Sequence, residues 1–77
     1  MTQGEFLEMF ASQFEETDPS TIQLDSNFRE LEEWSSMMAL IIIAMVDEEY
    51  GVTLTGDDIR SSTTAEDIYK IVSAKSN

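Results

Sequence analysis

Ten consecutive apolar residues run from Met37 to Val46, and no other stretch constrains the possible folds as much. A membrane-crossing helix needs about 20 apolar residues, so the run is too short to span a bilayer. A buried strand of this strength needs a comparable strand to pair with, and no other segment offers one. A helix remains. Ser35 and Ser36 stand just ahead of the run and offer an N-cap, because a serine oxygen accepts an otherwise unpaired first-turn N–H. Gly51 closes the helix, because glycine adopts the left-handed turn that ends helices without steric cost. The predicted helix therefore spans Ser36 to Tyr50. Its projection puts Ala39, Ile42, Ile43, Val46 and Tyr50 on one side. Met37, Ile41, Ala44 and Glu48 fall on the opposite side, with Met45 on the flank. Asp47, Glu48 and Glu49 surround the end of the run, so the Tyr50 side is the expected core. The Met37, Ile41 and Met45 strip is then an expected apolar surface.

The flanking segments supply what this helix packs against. Phe6, Phe10 and Phe14 recur every four residues, which is helical spacing, over about Thr2 to Glu16. Thr2 with Glu5 three residues on forms a capping box, and Pro19 stops the helix by disfavouring a helical residue before it. From about Asp18 to Trp34 the apolar residues are Ile22, Leu24, Phe28, Leu31 and Trp34. They are too irregular for one helix and too many for a free linker. A connection packed onto the core is expected, with a helical turn at Asn27 to Leu31. After Gly51, Val52 and Leu54 point inward and Gly56-Asp57 turns the chain. Asp57 to Arg60 forms one short helical turn. Thr63 with Glu66 is a second capping box. It opens a last helix with Ile68, Ile71 and Val72 on one face. Residues 1–77 thus read as a single all-α domain: three helices, one short turn, a long first connection.

Composition narrows the chemistry. Sixteen acids against four bases leave a net charge of −12, with no cysteine and no histidine. No disulfide or thiolate site is possible, and the commonest general base is absent. The charge disfavours nucleic acid and anionic membranes as partners and favours basic protein surfaces. Asp25-Ser26-Asn27 begins like a calcium loop, but Arg29 and Glu30 stand where a ligand and the turning glycine belong, so no metal site is expected. Nothing resembles a phosphate loop or a nucleophile with its base. An enzyme is not expected. The start, Met-Thr-Gln-Gly-Glu-Phe, lacks a basic region followed by an apolar stretch, which makes the expected location cytoplasmic.

One chemical opportunity remains at Trp34-Ser35-Ser36-Met37. A hydroxyl at a helix N-terminus lies where backbone N–H groups and the helix dipole favour a phosphate. A serine there suits attachment of a phosphodiester, beside an apolar strip. The stretch Phe28-Arg29-Glu30-Leu31-Glu32-Glu33-Trp34-Ser35-Ser36-Met37 resembles the acyl carrier protein signature, an acid-flanked apolar loop leading to Asp-Ser-Leu or Asp-Ser-Met. Met45-Val46-Asp47-Glu48-Glu49-Tyr50-Gly51-Val52-Thr53-Leu54 is similar to that family's acidic triplet, aromatic, small residue and alternating apolar pattern. Thr63-Thr64-Ala65-Glu66-Asp67-Ile68 resembles the opening of its last helix. The resemblance covers essentially the whole chain.

It implies a small four-helix bundle with a long first loop and a short third helix, matching Asp57 to about Ser61. It also implies a covalent phosphopantetheine arm on Ser36, installed by a phosphopantetheinyl transferase. The arm's thiol would carry acyl or related groups to acyl-transferring and condensing enzymes with basic docking surfaces, in fatty-acid, polyketide or similar biosynthesis. Met37, Ile41, Met45, Asp47, Glu48 and Glu49 form the expected partner surface, and the protein is expected to be a monomer. Two departures stand out: Ser35 replaces the family's usual Asp, and Met38 and Ile41 stand where acids are common. The alternative is an acidic helical interaction module without a prosthetic group, whose function would survive Ser36→Ala.

Overall fold

The computed structural model describes residues 1–76, which form helices α1 (Gln3–Ser12), α2 (Ser36–Tyr50), α3 (Gly56–Arg60) and α4 (Ala65–Lys75). No strand occurs among the described residues, and the architecture is the expected all-α bundle with a short third helix. Two 3-10 turns, Pro19–Thr21 and Phe28–Glu30, interrupt the long connection.

Helix α1 starts as its sequence dictates. Thr2 Oγ1 accepts the Glu5 N–H at 3.1 Å, and the Glu5 carboxylate accepts the Thr2 N–H at 3.0 Å. Phe6, Phe10 and Phe14 are all buried. The helix ends at Ser12, short of the predicted Glu16, for two reasons. The Gln13 and Phe14 N–H groups bond to Phe10 and Ala11 carbonyls in tightened i to i+3 turns. Farther on, the Glu33 carboxylate takes both the Glu16 N–H at 3.1 Å and the Thr17 hydroxyl at 2.8 Å. The chain at 16–17 therefore bonds to the loop instead of continuing the helix.

The connection packs onto the core through its aromatic rings. Phe28 lies 4.5 Å from Trp34 and 5.9 Å from Phe10, and Trp34 lies 6.4 Å from Phe14. Asn27 caps the Phe28–Glu30 turn, which falls where a helical turn was predicted. The Pro19–Thr21 turn, capped by Asp18, was not predicted. The backbone then ties the loop to the far end of the chain. The Phe28 N–H donates to the Thr63 carbonyl at 3.2 Å, and the Glu66 N–H donates to Leu24 at 3.0 Å.

Helix α2 has the predicted bounds, with Ser35 as N-cap and Gly51 left-handed at φ 65°. Its buried face differs from the projection. Met38, Ile42, Met45 and Val46 are buried, while Ala39, Ile41, Ile43 and Tyr50 are half-buried. Met45, placed on the surface strip by the sequence, is only 5% exposed. The core that receives α2 includes Phe10, Phe14 and Phe28 from one part of the chain and Ile59, Ile68 and Val72 from another. At about 100° per residue the four buried side chains fall within one arc of about 100°, so α2 buries a single face, rotated from the projected one toward Met38 and Met45.

Val52 and Leu54 point into the core as expected. Gly56 and Asp57, read as a turn, instead begin α3, where Thr55 and Asp58 make a reciprocal capping box. Helix α4 is capped by Thr64 with Asp67, one residue later than the predicted Thr63 with Glu66. Both pairs satisfy the capping spacing. The register is decided by the loop, because the Thr63 carbonyl is taken by Phe28 and Asn27 pairs with Thr64. Lys75 closes the bundle by donating to the Thr53 carbonyl at 3.0 Å and to Asp58 Oδ2 at 2.5 Å.

Candidate functional site

The two adjacent serines at the start of α2 have different jobs. Ser35 is the N-cap: its Oγ accepts the Met38 N–H at 3.2 Å. Its extended backbone, φ −160° and ψ 174°, aims the oxygen back over the first turn. Ser36 is the first residue with helical geometry. It is exposed, and its Oγ makes no hydrogen bond among the described residues. One hydroxyl is consumed by the fold and the other is left exposed without a protein partner among the described residues.

The electrostatics around Ser36 favour an anion. The first turn of α2 contains no acidic residue, so the positive end of the helix dipole is not neutralised locally. A groove of about 400 Å³ beside it is lined by Ser36 together with Trp34, Leu40, Ile43 and Ile59, and by the two arginines Arg29 and Arg60. A larger groove, about 1030 Å³, lies elsewhere, between α1, the Pro19–Thr21 turn and the end of α2 at Glu49 and Tyr50. At 1.5 Å per residue, Tyr50 is about 21 Å along the helix from Ser36.

The expected partner strip is reshaped. Met37 is 65% exposed and Ile41 half-buried, while Met45 belongs to the core. The exposed apolar residue missed by the sequence reading is Leu40, 61% exposed, three residues after Met37 and four after Ser36. That spacing already puts it on the Met37 and Ser36 face of a helix. Asp47, Glu48 and Glu49 are exposed at the other end of α2, whose last turn contains no basic residue.

Arg29 joins the loop to α3. Its Nη2 donates to the Ile59 carbonyl at 2.5 Å and its Nε to Ser62 at 3.0 Å, while its guanidinium lies 5.4 Å from the Phe28 ring centre. Phe28 in turn contacts Trp34, the residue before the serine pair. Asp58 and Asp67 are held below the ordinary aspartate value. Asp58 is lowered first by the Lys75 ammonium and then by the Thr55 N–H; Asp67 is lowered by the Thr63 and Thr64 N–H groups. Among the described residues no group of three acids is placed to hold a metal ion, and no helix is long and apolar enough to cross a membrane.

An unbonded hydroxyl, a helix N-terminus, two guanidinium groups and an apolar floor suit a phosphodiester followed by a pantetheine chain. The family model for the phosphopantetheine attachment site matches residues 5–72, nearly the whole chain. No curated protein matches the sequence significantly. On fold and family match together, the chain belongs to the phosphopantetheine attachment site family, and its prosthetic group is covalently bound phosphopantetheine.

Proposed function

We propose that Ser36 bears the phosphopantetheine and that the protein is a non-catalytic carrier of acyl or related thioesters. It would serve enzymes of fatty-acid, polyketide or similar biosynthesis. The observation that carries the reading is the division of labour between the serines: Ser35 Oγ caps α2, while Ser36 Oγ is exposed and unbonded. The bound group supplies a thiol, which this cysteine-free chain lacks. Ser36 provides the attachment oxygen. The α2 N–H groups and dipole favour the negative charge placed there. Trp34, Leu40, Ile43 and Ile59 offer an apolar wall against which the arm can rest.

Partner enzymes meet α2. Met37 and Leu40 are exposed next to Ser36, and flexible methionine suits contact with several partners. Asp47, Glu48 and Glu49 sit at the helix C-terminus, where the dipole disfavours acids. Local helix stability therefore does not account for them, and basic docking residues on partner enzymes do. The carrier is proposed to act in the cytoplasm as a monomer.

Intact mass after incubation with coenzyme A and a broad-specificity phosphopantetheinyl transferase tests the reading. One phosphopantetheine should be added to the wild type and to Ser35→Ala, and none to Ser36→Ala. Gain on Ser36→Ala with loss on Ser35→Ala would move the site by one residue. No gain with several transferases would leave the attachment reading without support.

A further inference from the structure

We propose that Arg60 is a phosphate-binding residue: the free edge of its guanidinium pairs with the phosphodiester on Ser36 and holds the base of the arm in the groove between α2 and α3. The inference rests on Ser36 as the attachment point.

Only four bases stand against sixteen acids in the whole chain. Two of those four, Arg29 and Arg60, line the groove that Ser36 lines, and no acidic residue does. The two are not equivalent. Arg29 is committed to the fold through the Ile59 and Ser62 carbonyls. Arg60 is held only by Asp57, and the two side chains are 73% and 87% exposed. An ion pair this open contributes little to stability, so folding does not explain where the guanidinium lies.

In the structure the guanidinium lies over the start of α3. Nη1 lies 3.3 Å from where Gly56 would carry a Cβ, so the side chain folds back over the start of α3 in space that a larger residue would narrow. Asp57 takes one N–H of Nη2, and the second N–H of that nitrogen, paired with its neighbour on the opposite edge, remains for a second anion. A phosphodiester presents two unesterified oxygens sharing one negative charge, which a planar guanidinium can meet with two parallel N–H donors. Arg60 can therefore bind the arm without giving up Asp57, which acts as its tether.

The test starts from holo-protein whose loading is verified by intact mass, with Ser36→Ala as the control. The ³¹P resonance of the arm and the Arg60 Nε–H resonance are then followed. Loading should shift the Arg60 resonance. Arg60→Gln should shift and narrow the ³¹P line as the arm gains freedom, and Arg60→Lys should restore only part of the effect. Gly56→Ala, whose Cβ would press on the guanidinium without removing charge, should act in the same direction as Arg60→Gln and more weakly. Lys70→Gln should change neither signal. If the mass is gained but the Arg60 resonance and the ³¹P line ignore loading and Arg60→Gln, the inference is overturned while Ser36 stands. If Ser36→Ala still gains the mass, or the wild type never does, both fall.

Discussion

With the arm proposed on Ser36, Ser35 takes the place where the family usually has aspartate, and its hydroxyl keeps the helix cap. A serine oxygen accepts the Met38 N–H as a carboxylate would, but it brings no charge to the helix N-terminus. Ser35→Ala should lower stability by about 1 kcal/mol, the usual cost of a lost cap, while leaving loading intact. Ser36→Ala removes an exposed, unbonded hydroxyl and should change the melting temperature little while abolishing loading. Chemical denaturation paired with intact mass separates the two effects. Gly51 is a second residue with one reason for its identity. Its φ of 65° is left-handed, so Gly51→Ala should destabilise by about 1 kcal/mol through backbone strain, although no neighbour blocks a Cβ there.

Among the elements, the long connection does more than join α1 to α2. It sets the α4 cap register, ends α1 early through Glu33, and carries Arg29 to the end of α3. Arg29→Gln should remove both charge-assisted bonds to the Ile59 and Ser62 carbonyls, at a cost of about 2 kcal/mol. Loosening Phe28 should also expose its neighbour Trp34, the only tryptophan. A red shift in native-state fluorescence, together with the lower melting temperature, is the expected outcome. An unshifted spectrum would mean the loop is held by its aromatic packing alone. The connection also explains why the outward face of α2 was not readable in isolation. Met38 and Met45 join a core shared with Phe14 and Phe28, whereas Leu40 is left in solvent.

For the whole molecule, the net charge of −12 is spread over a body about 32 by 24 by 20 Å. Like charges this crowded oppose the compact state, and only two ion pairs form among the described residues. Added salt should therefore raise the melting temperature by screening. A melting temperature that falls with salt would contradict this. Acid acts in two opposing ways. Protonation relieves the general repulsion, but it also removes the interactions that lower Asp58 and Asp67 beneath their ordinary value of 3.8. A carboxylate with a lowered folded-state pKa contributes stability above its unfolded pKa and loses it as pH falls through the folded value. Asp67→Asn keeps an acceptor without the charge and should flatten the melting profile below about pH 4, relative to wild type.

Sequence by itself determined what depends on neighbours along the chain. The bounds of α2 follow from a serine cap, an apolar run and a terminal glycine. The start of α1 follows from Thr2 and Glu5, and the resemblance to the carrier family follows from short patterns in order. Tertiary structure decided what depends on distant partners. The Thr63 and Thr64 caps are equivalent until Phe28 takes the Thr63 carbonyl. The centre of the buried face of α2 is ambiguous in an all-apolar run until the rest of the core selects Met38, Ile42, Met45 and Val46. Arg60 is one of four scattered bases until α3 brings it to the groove that Ser36 lines. Capping and periodicity act over a few residues and are written locally, whereas burial and electrostatic proximity exist only once the chain has closed on itself.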